Sequence, residues 1–287
     1  MNNHDPATST MRPRWRRGLL ALACSTGLLG AVQAQTANMY AFASSGGGSL
    51  HSMSGSTIFV PTGSSNSVVT SIGFNFVYEG TTYTTFSANN YGSMRLGGTL
   101  IQDYQVQNLG DNQPLISPLS VDGDVSGNWA EYVVSGTAPN RVLTVHWDHH
   151  AYPWDGGTYY IFQASLYEGT NVIEFNYGTG GSMSWWKNHA AITGANLANF
   201  LNMRPGHMAS STDATSLDAW PGNGQVYTFT PPAACATPAP GNTLASVLSG
   251  CSGINSNLSL QNAVPGSGVS YQWQSSTTGG APWTNVG

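Results

Sequence analysis

From Ile72 onward the chain carries a two-residue hydrophobic rhythm. Ile72, Phe74, Phe76 and Tyr78 alternate with their neighbours, a turn falls at Glu79-Gly80, and the pattern resumes through Tyr83, Phe86, Ala88, Met94 and Leu96. Successive side chains on a strand point to opposite faces, so this period predicts half-buried antiparallel strands. The same reading applies to residues 130–134, to Arg141 through Trp147 after a turn at Ser135 to Asn140, and to Tyr159 through Tyr167. Residues 171–177 answer the last of these across Glu168-Gly169, which predicts a hairpin. Further strands are expected at 190–194 and 225–230. No long segment repeats at the helical period, so the fold class expected is all-β, a two-layer antiparallel β-sandwich.

The N-terminus reads as an export signal. Arg12, Arg14, Arg16 and Arg17 precede an apolar run from Gly18 to Val32, and Val32-Gln33-Ala34 supplies small cleavage positions. Residues 1–34 are therefore expected to be removed, leaving a secreted chain that begins at Gln35 and has no transmembrane segment, because a spanning helix needs about 20 apolar residues. Lipidation at Cys24 is the alternative, and Ala21-Leu22-Ala23 is a poor acylation box before it. Cleavage takes four of the eight basic residues and one of the thirteen acids, so the mature chain carries four cations against twelve anions, a net charge of −8. So few cations cannot line a phosphate backbone, which argues against nucleic acid as a partner.

Composition shifts once, in the Pro- and Ala-rich stretch around 230–241, which reads as a stiff linker. The expected organisation is a signal at 1–34, a β-sandwich domain at 35–232, a linker at 233–245, and at 246–287 a β segment too short to bury a sandwich core of its own. Cys235 and Cys251 remain after export, into a compartment where disulfides persist. A bridge between them would close a loop of about 15 residues, a stabilisation of about 3 kcal/mol on the entropic account. Pairing with cysteines of another chain is the alternative, and sequence alone does not separate the two.

Several stretches together resemble a recurrent module: Ile72 to Phe76, Gly80 to Ser87, Gly136 to Val142, Phe162 to Glu168 and Ile173 to Phe175. The module is the N-terminal nidogen-like β-sandwich of large secreted bacterial surface proteins, which commonly continue into immunoglobulin-like or fibronectin type III repeats. Tyr271 to Ser276 resembles the core-tryptophan strand of such an immunoglobulin-like repeat, here truncated. The resemblance implies extracellular adhesion or scaffolding on protein, matrix or glycan, and carries no shared catalytic residues.

Three local features are candidates for chemistry. On a strand continuing from Val142, Leu143, Val145 and Trp147 share the core face while His146, Asp148 and His150 share the other. Zinc needs three or four ligands converging on a tetrahedron, and an extended strand spreads these three too far apart, so a solvated polar face is the expectation. Asp122, Asp124 and Ser126 copy the opening of a calcium loop with oxygen ligands at alternate positions, but the twelfth position is Val133 instead of the bidentate Glu. An acidic turn explains these residues equally well, and calcium is the one cofactor kept as an alternative. Trp154, Trp185 and Trp186 sit in loops, where rings stack on sugars or anchor a protein interface. The sequence holds no Gly-x-Ser-x-Gly elbow, His-Glu-x-x-His pair or phosphate-binding glycine loop, and no spacing singles out a glycosidase carboxylate pair. Non-catalytic contact is the expected function, with glycan binding the second hypothesis and a polymer-active hydrolase the third.

Overall fold

The computed structural model describes residues 35–61, 63, 66–102, 109, 113–120, 127–150, 159–181, 188–217, 219–233, 243–246, 257–262, 272–275 and 281–286, with backbone alone at 150, 243 and 286. A 3-10 turn at Ala37–Met39 leads into β1 (Ala41–Ser45), β2 (Thr57–Val60), β3 (Thr70–Tyr78), β4 (Thr81–Ala88), β5 (Met94–Leu96), β6 (Leu115–Ser120) and β7 (Trp129–Ser135). Then come β8 (Val142–His150), β9 (Tyr159–Tyr167), β10 (Ile173–Tyr177), β11 (His189–Thr193), β12 (Phe200–Arg204), β13 (Met208–Ser210) and β14 (Val226–Thr230). Two seven-stranded sheets result, in the orders β1-β14-β10-β9-β8-β7-β2 and β13-β12-β11-β6-β5-β4-β3. Every pairing is antiparallel, and the two sheets pack as a sandwich.

The core follows from the alternation. Ile72, Phe74, Phe76 and Tyr78 of β3 are buried, as are Leu143, Val145 and Trp147 of β8 and Ile173, Phe175 and Tyr177 of β10. Rings meet edge to face in the core, Phe175 on Phe229 at 4.9 Å and Tyr177 on Tyr227 at 5.3 Å, the arrangement that ring quadrupoles favour. Trp147 stacks on Phe162 at 5.6 Å and donates its Nε1–H to the Asn89 carbonyl at 2.7 Å, tying one sheet to the other. The sheets are clamped again where Arg141 pairs with Glu168, donates to the Gly73 carbonyl at 2.6 Å and lies 5.6 Å over the Phe74 ring.

β6 is the strand that periodicity misses. Leu115-Ile116-Ser117-Pro118-Leu119-Ser120 is buried throughout, so it shows no alternation, and its proline argues against an interior strand. The sheet accommodates Pro118 at a register shift between His189 and Ala191 of β11.

The chain's own connections cross part of each outer face of the sandwich, while outward residues of β1 and β3 such as Ala41, Ala43, Ser71 and Asn75 are exposed. β1 and β2 lie at opposite edges of one sheet, so the residues between them cross its outer face as a strap. The Gly48 N–H donates to the Gly224 carbonyl at 2.8 Å on one side of the sheet, and Ser56 Oγ bonds to Glu131 on the other. On the second sheet, Leu109 packs with Ala191 and Phe200, the Ile101 N–H donates to Ser87 Oγ at 2.8 Å, and Asn202 Nδ2 donates to the Asp213 and Thr215 carbonyls.

The described residues from 35 to 233 form one compact unit, and those from 243 onward belong to a second. Within the latter, β15 (Thr243–Ala245) pairs with β16 (Leu258–Leu260), and β17 (Trp273–Ser275) pairs with β18 (Thr284–Val286). Among the described residues no helix is long and apolar enough to cross a membrane.

Candidate functional site

Among the described residues, a connected group of titratable side chains lies on the outer face of the first sheet, beneath the strap. Alternation along the strands sends Glu131 of β7, His146 and Asp148 of β8, Gln163 and Tyr167 of β9, and Glu174 and Asn176 of β10 to this one face. Gln163 is fully buried and its amide grips the strap main chain in both directions. Its Nε2 donates to the His51 carbonyl at 2.9 Å, and its Oε1 accepts the His51 N–H at 2.7 Å. The His51 ring then reaches on to the next strand, with Nε2 3.0 Å from Glu174 Oε1 and 3.3 Å from the Tyr167 hydroxyl.

Glu174 Oε1 also accepts from Asn176 Nδ2 at 2.8 Å and from the Tyr167 hydroxyl at 3.2 Å. Burial raises this carboxyl, but the hydrogen bonds from His51, Asn176 and Tyr167 and the attraction of His51 outweigh it and hold the group below its ordinary value. Burial pushes the Tyr167 phenol up, and the Glu174 charge adds to the effect, so Tyr167 stays a neutral donor at physiological pH. His146 is held down by burial, against the pull of Glu131 and Asp148, and its Nδ1 lies 3.1 Å from Gln163 Nε2. A carboxylate, an imidazole and a phenol could move protons. Here each satisfies another, and together they fasten the strap.

The face sharing expected of His146 and Asp148 holds, and the expected solvation does not. His146 is largely covered and Asp148 is buried. His149, on the opposite face, is fully buried with its Nδ1 2.9 Å from Asn128 Nδ2 and 3.1 Å from the Asn90 carbonyl. The physical reason is neighbouring side chains that the strand pattern does not reveal: the Trp129 ring lies 5.9 Å from the His146 ring, Gln163 bonds to His146, and Tyr159 hydrogen-bonds to Asp148. The side chain of His150 lies outside the described residues. Among the described residues no group of three or more His, Cys, Asp or Glu is placed to hold a metal.

Asp122, Asp124, Ser126, Trp154, Trp185, Trp186, Cys235 and Cys251 all lie outside the described residues. The strand ends that flank the acidic and tryptophan segments are described, and they converge on one end of the sandwich. Ser120, which closes β6, is opposite His189, which opens β11. Trp129 opens β7 opposite Asp148 near the end of β8, and His149 is opposite Tyr160 near the start of β9. Tyr177, which closes β10, is opposite Phe162 and donates its hydroxyl to the Pro118 carbonyl at 2.6 Å. Segments 121–126, 151–158 and 182–187 are thus rooted in one cross-braced set of strand ends. Periodicity gives no sign of this clustering, nor of His51, Gln163, Tyr167 and Glu174 as a group, because both depend on which strands pair. The one local signal is the run of polar side chains, Gln163, Ser165 and Tyr167, on a strand whose opposite face is wholly apolar.

No curated protein and no solved structure matched the chain. A family model described as NIDO related matches residues 39–231, two-thirds of the sequence and nearly all of the Ala34–Ala234 sandwich. The sandwich therefore belongs to the nidogen-related family of domains.

Proposed function

We propose that this chain is an exported, non-catalytic contact module that serves adhesion or scaffolding on extracellular protein or matrix, as the leading part of a bacterial surface protein continuing into immunoglobulin-like repeats. The observation that carries the reading is that the titratable groups of the first face, His51, Tyr167 and Glu174, are bonded to one another beneath the strap that Gln163 holds, so they are committed to structure. The surfaces left for contact include the strand edges and the end at which the segments 121–126, 151–158 and 182–187 are rooted. Nidogen-related membership supports an architecture built for extracellular association. The test is binding of the labelled full chain to the surface of the cells that export it, before and after protease shaving. Saturable binding that shaving removes supports a protein partner.

Glycan binding through Trp154, Trp185 and Trp186 is the second reading, favoured by the shared root of the two tryptophan-bearing segments. Rings brought to one end can stack on successive sugars. A glycan array separates the two readings, since only the second expects array binding that Trp185→Ala or Trp154→Ala removes. Calcium at Asp122, Asp124 and Ser126 would brace the same end, and a bridge between Cys235 and Cys251 would fasten the chain beyond the sandwich.

A further inference from the structure

The sandwich has four sheet edges, and they are not equally protected. An open edge offers unpaired main-chain groups to any passing strand, and stable proteins blunt it with bulges, caps, charges or short length. On β3 the Gly73 carbonyl accepts Arg141 Nη1 at 2.6 Å, and the Val77 N–H donates to Asn171 Oδ1 at 2.8 Å. Its register with β4 also breaks between Ser71 and Phe76. On β2 a register shift falls between Ile58 and Val60. β13 has three residues, and Ser210 Oγ turns the chain away by accepting the N–H groups of Thr212 and Asp213.

β1 has none of these devices. Its five residues hold unbroken register with β14, from Ala41 opposite Thr230 to Ser45 opposite Val226. The sequence Ala-Phe-Ala-Ser-Ser carries neither charge nor proline, and among the described residues no other segment bonds to its outward main chain. Beyond its end, side chains added at Gly46 or Gly47 would meet open space, so no bulk stands in the way of an approaching strand.

We infer that β1 is a docking edge whose occupant is a second copy of this chain, paired antiparallel through the same strand about a twofold axis at Ala43. The inference rests on the contact reading above and names its partner. In that register Ala43 faces Ala43 of the other copy, Phe42 faces its Ser44, and Ala41 faces its Ser45. Small side chains meet small ones, and the one large side chain gains cover. Phe42 packs on Tyr227 at 5.4 Å and on Phe229 at 5.6 Å, yet it is only half-buried because the sheet ends beside it. Charge favours this edge for self-association. A mature chain of net charge −8 repels its own kind. A strand with no ionisable group lets two copies meet without opposing like charges directly, which is destabilising across an antiparallel pair. Such a contact is isologous and closes as a dimer, joining two seven-stranded sheets through main-chain hydrogen bonds.

The test is sedimentation velocity of the full exported chain over a concentration series, with Ala43→Lys and Ala43→Glu variants alone and mixed. Ala43 is exposed, so both variants should keep the wild-type circular dichroism spectrum. We expect a concentration-dependent wild-type dimer, two monomeric variants, and a dimer restored on mixing, since lysine then opposes glutamate at the axis. If either variant fails to fold, Ala43→Cys substitutes for it: directly opposed residues lie within disulfide reach, and oxidation should link the two substituted positions, read by peptide mapping. Dimers that persist in both charged variants, or a mixture that stays monomeric, overturn the inference. A monomeric wild type that still binds the exporting cells overturns it too, and leaves the contact reading in place.

Discussion

The side-chain amide of Gln163 and the main chain of His51 exchange two hydrogen bonds, 2.7 and 2.9 Å long, between residues 112 apart in sequence. The pair fixes the strap to the middle of the sheet. Gln163→Leu keeps the size of the side chain and leaves both His51 main-chain groups without these partners, so it should lower unfolding stability by about 1–3 kcal/mol. Hydrogen exchange should accelerate across residues 46–56 before it does in β8 and β9. Unchanged strap protection in Gln163→Leu would show that the strap is held elsewhere.

Acid should loosen the same face in two stages. His146 is depressed below its ordinary value of 6.5, so the unfolded chain takes up this proton first and stability falls as pH drops from about 6.5 through the folded value. Glu174 is depressed below 4.5, so its contribution, present above that pH, is lost as pH falls through its own folded value. Urea midpoints should therefore be lower at pH 5.5 than at pH 7.5, by less in His146→Gln, which keeps an acceptor for Gln163. Equal pH dependence in the variant would show that His146 does not carry the first stage.

Gly92 separates a tight position from an open one. It has φ +87°, and a Cβ there would sit 1.9 Å from the Leu119 carbonyl oxygen, main chain that cannot step aside. Gly80, with φ +72°, has nothing within 4 Å of the same atom. Gly80→Ala should lose about 1–2 kcal/mol, the cost of a left-handed residue. Gly92→Ala should lose more than about 4 kcal/mol or fail to fold. Chemical denaturation of both variants checks the contrast.

Trp147→Phe keeps the stack on Phe162 but removes the only indole donor to the Asn89 carbonyl among the described bonds, and leaves space in a fully buried position. The unsatisfied carbonyl alone should lower stability by about 1–3 kcal/mol, with a cavity contribution in addition. A melt followed by near-ultraviolet circular dichroism reads both the loss and the change in packing.

Much of this fold was legible in the chain because most strands have one dry face. β8, β9 and β10 follow from their alternation, and their boundaries fall within a few residues of those expected. β6 was not legible because both its faces are buried, which erases the period, and because Pro118 speaks against a strand unless the partner bulges. β1 was missed for the opposite reason: Ala-Phe-Ala-Ser-Ser has too little apolar contrast to mark a face. The cluster of His51, Gln163, Tyr167 and Glu174 was hidden more deeply. Its members come from three separate segments, and they meet because β1 and β2 occupy opposite edges of one sheet, a fact of topology that no local pattern records.

The central claim, that the module works by non-catalytic contact with protein, is tested most directly by one binding titration. Labelled full chain is applied to intact exporting cells, to protease-shaved cells and to a glycan array, and the same preparation is incubated with a panel of chromogenic glycosides. The account predicts saturable binding to intact cells, its loss on shaving, a blank array and no released chromophore. Turnover of any glycoside, or binding that survives shaving and tracks a glycan on the array, would contradict it.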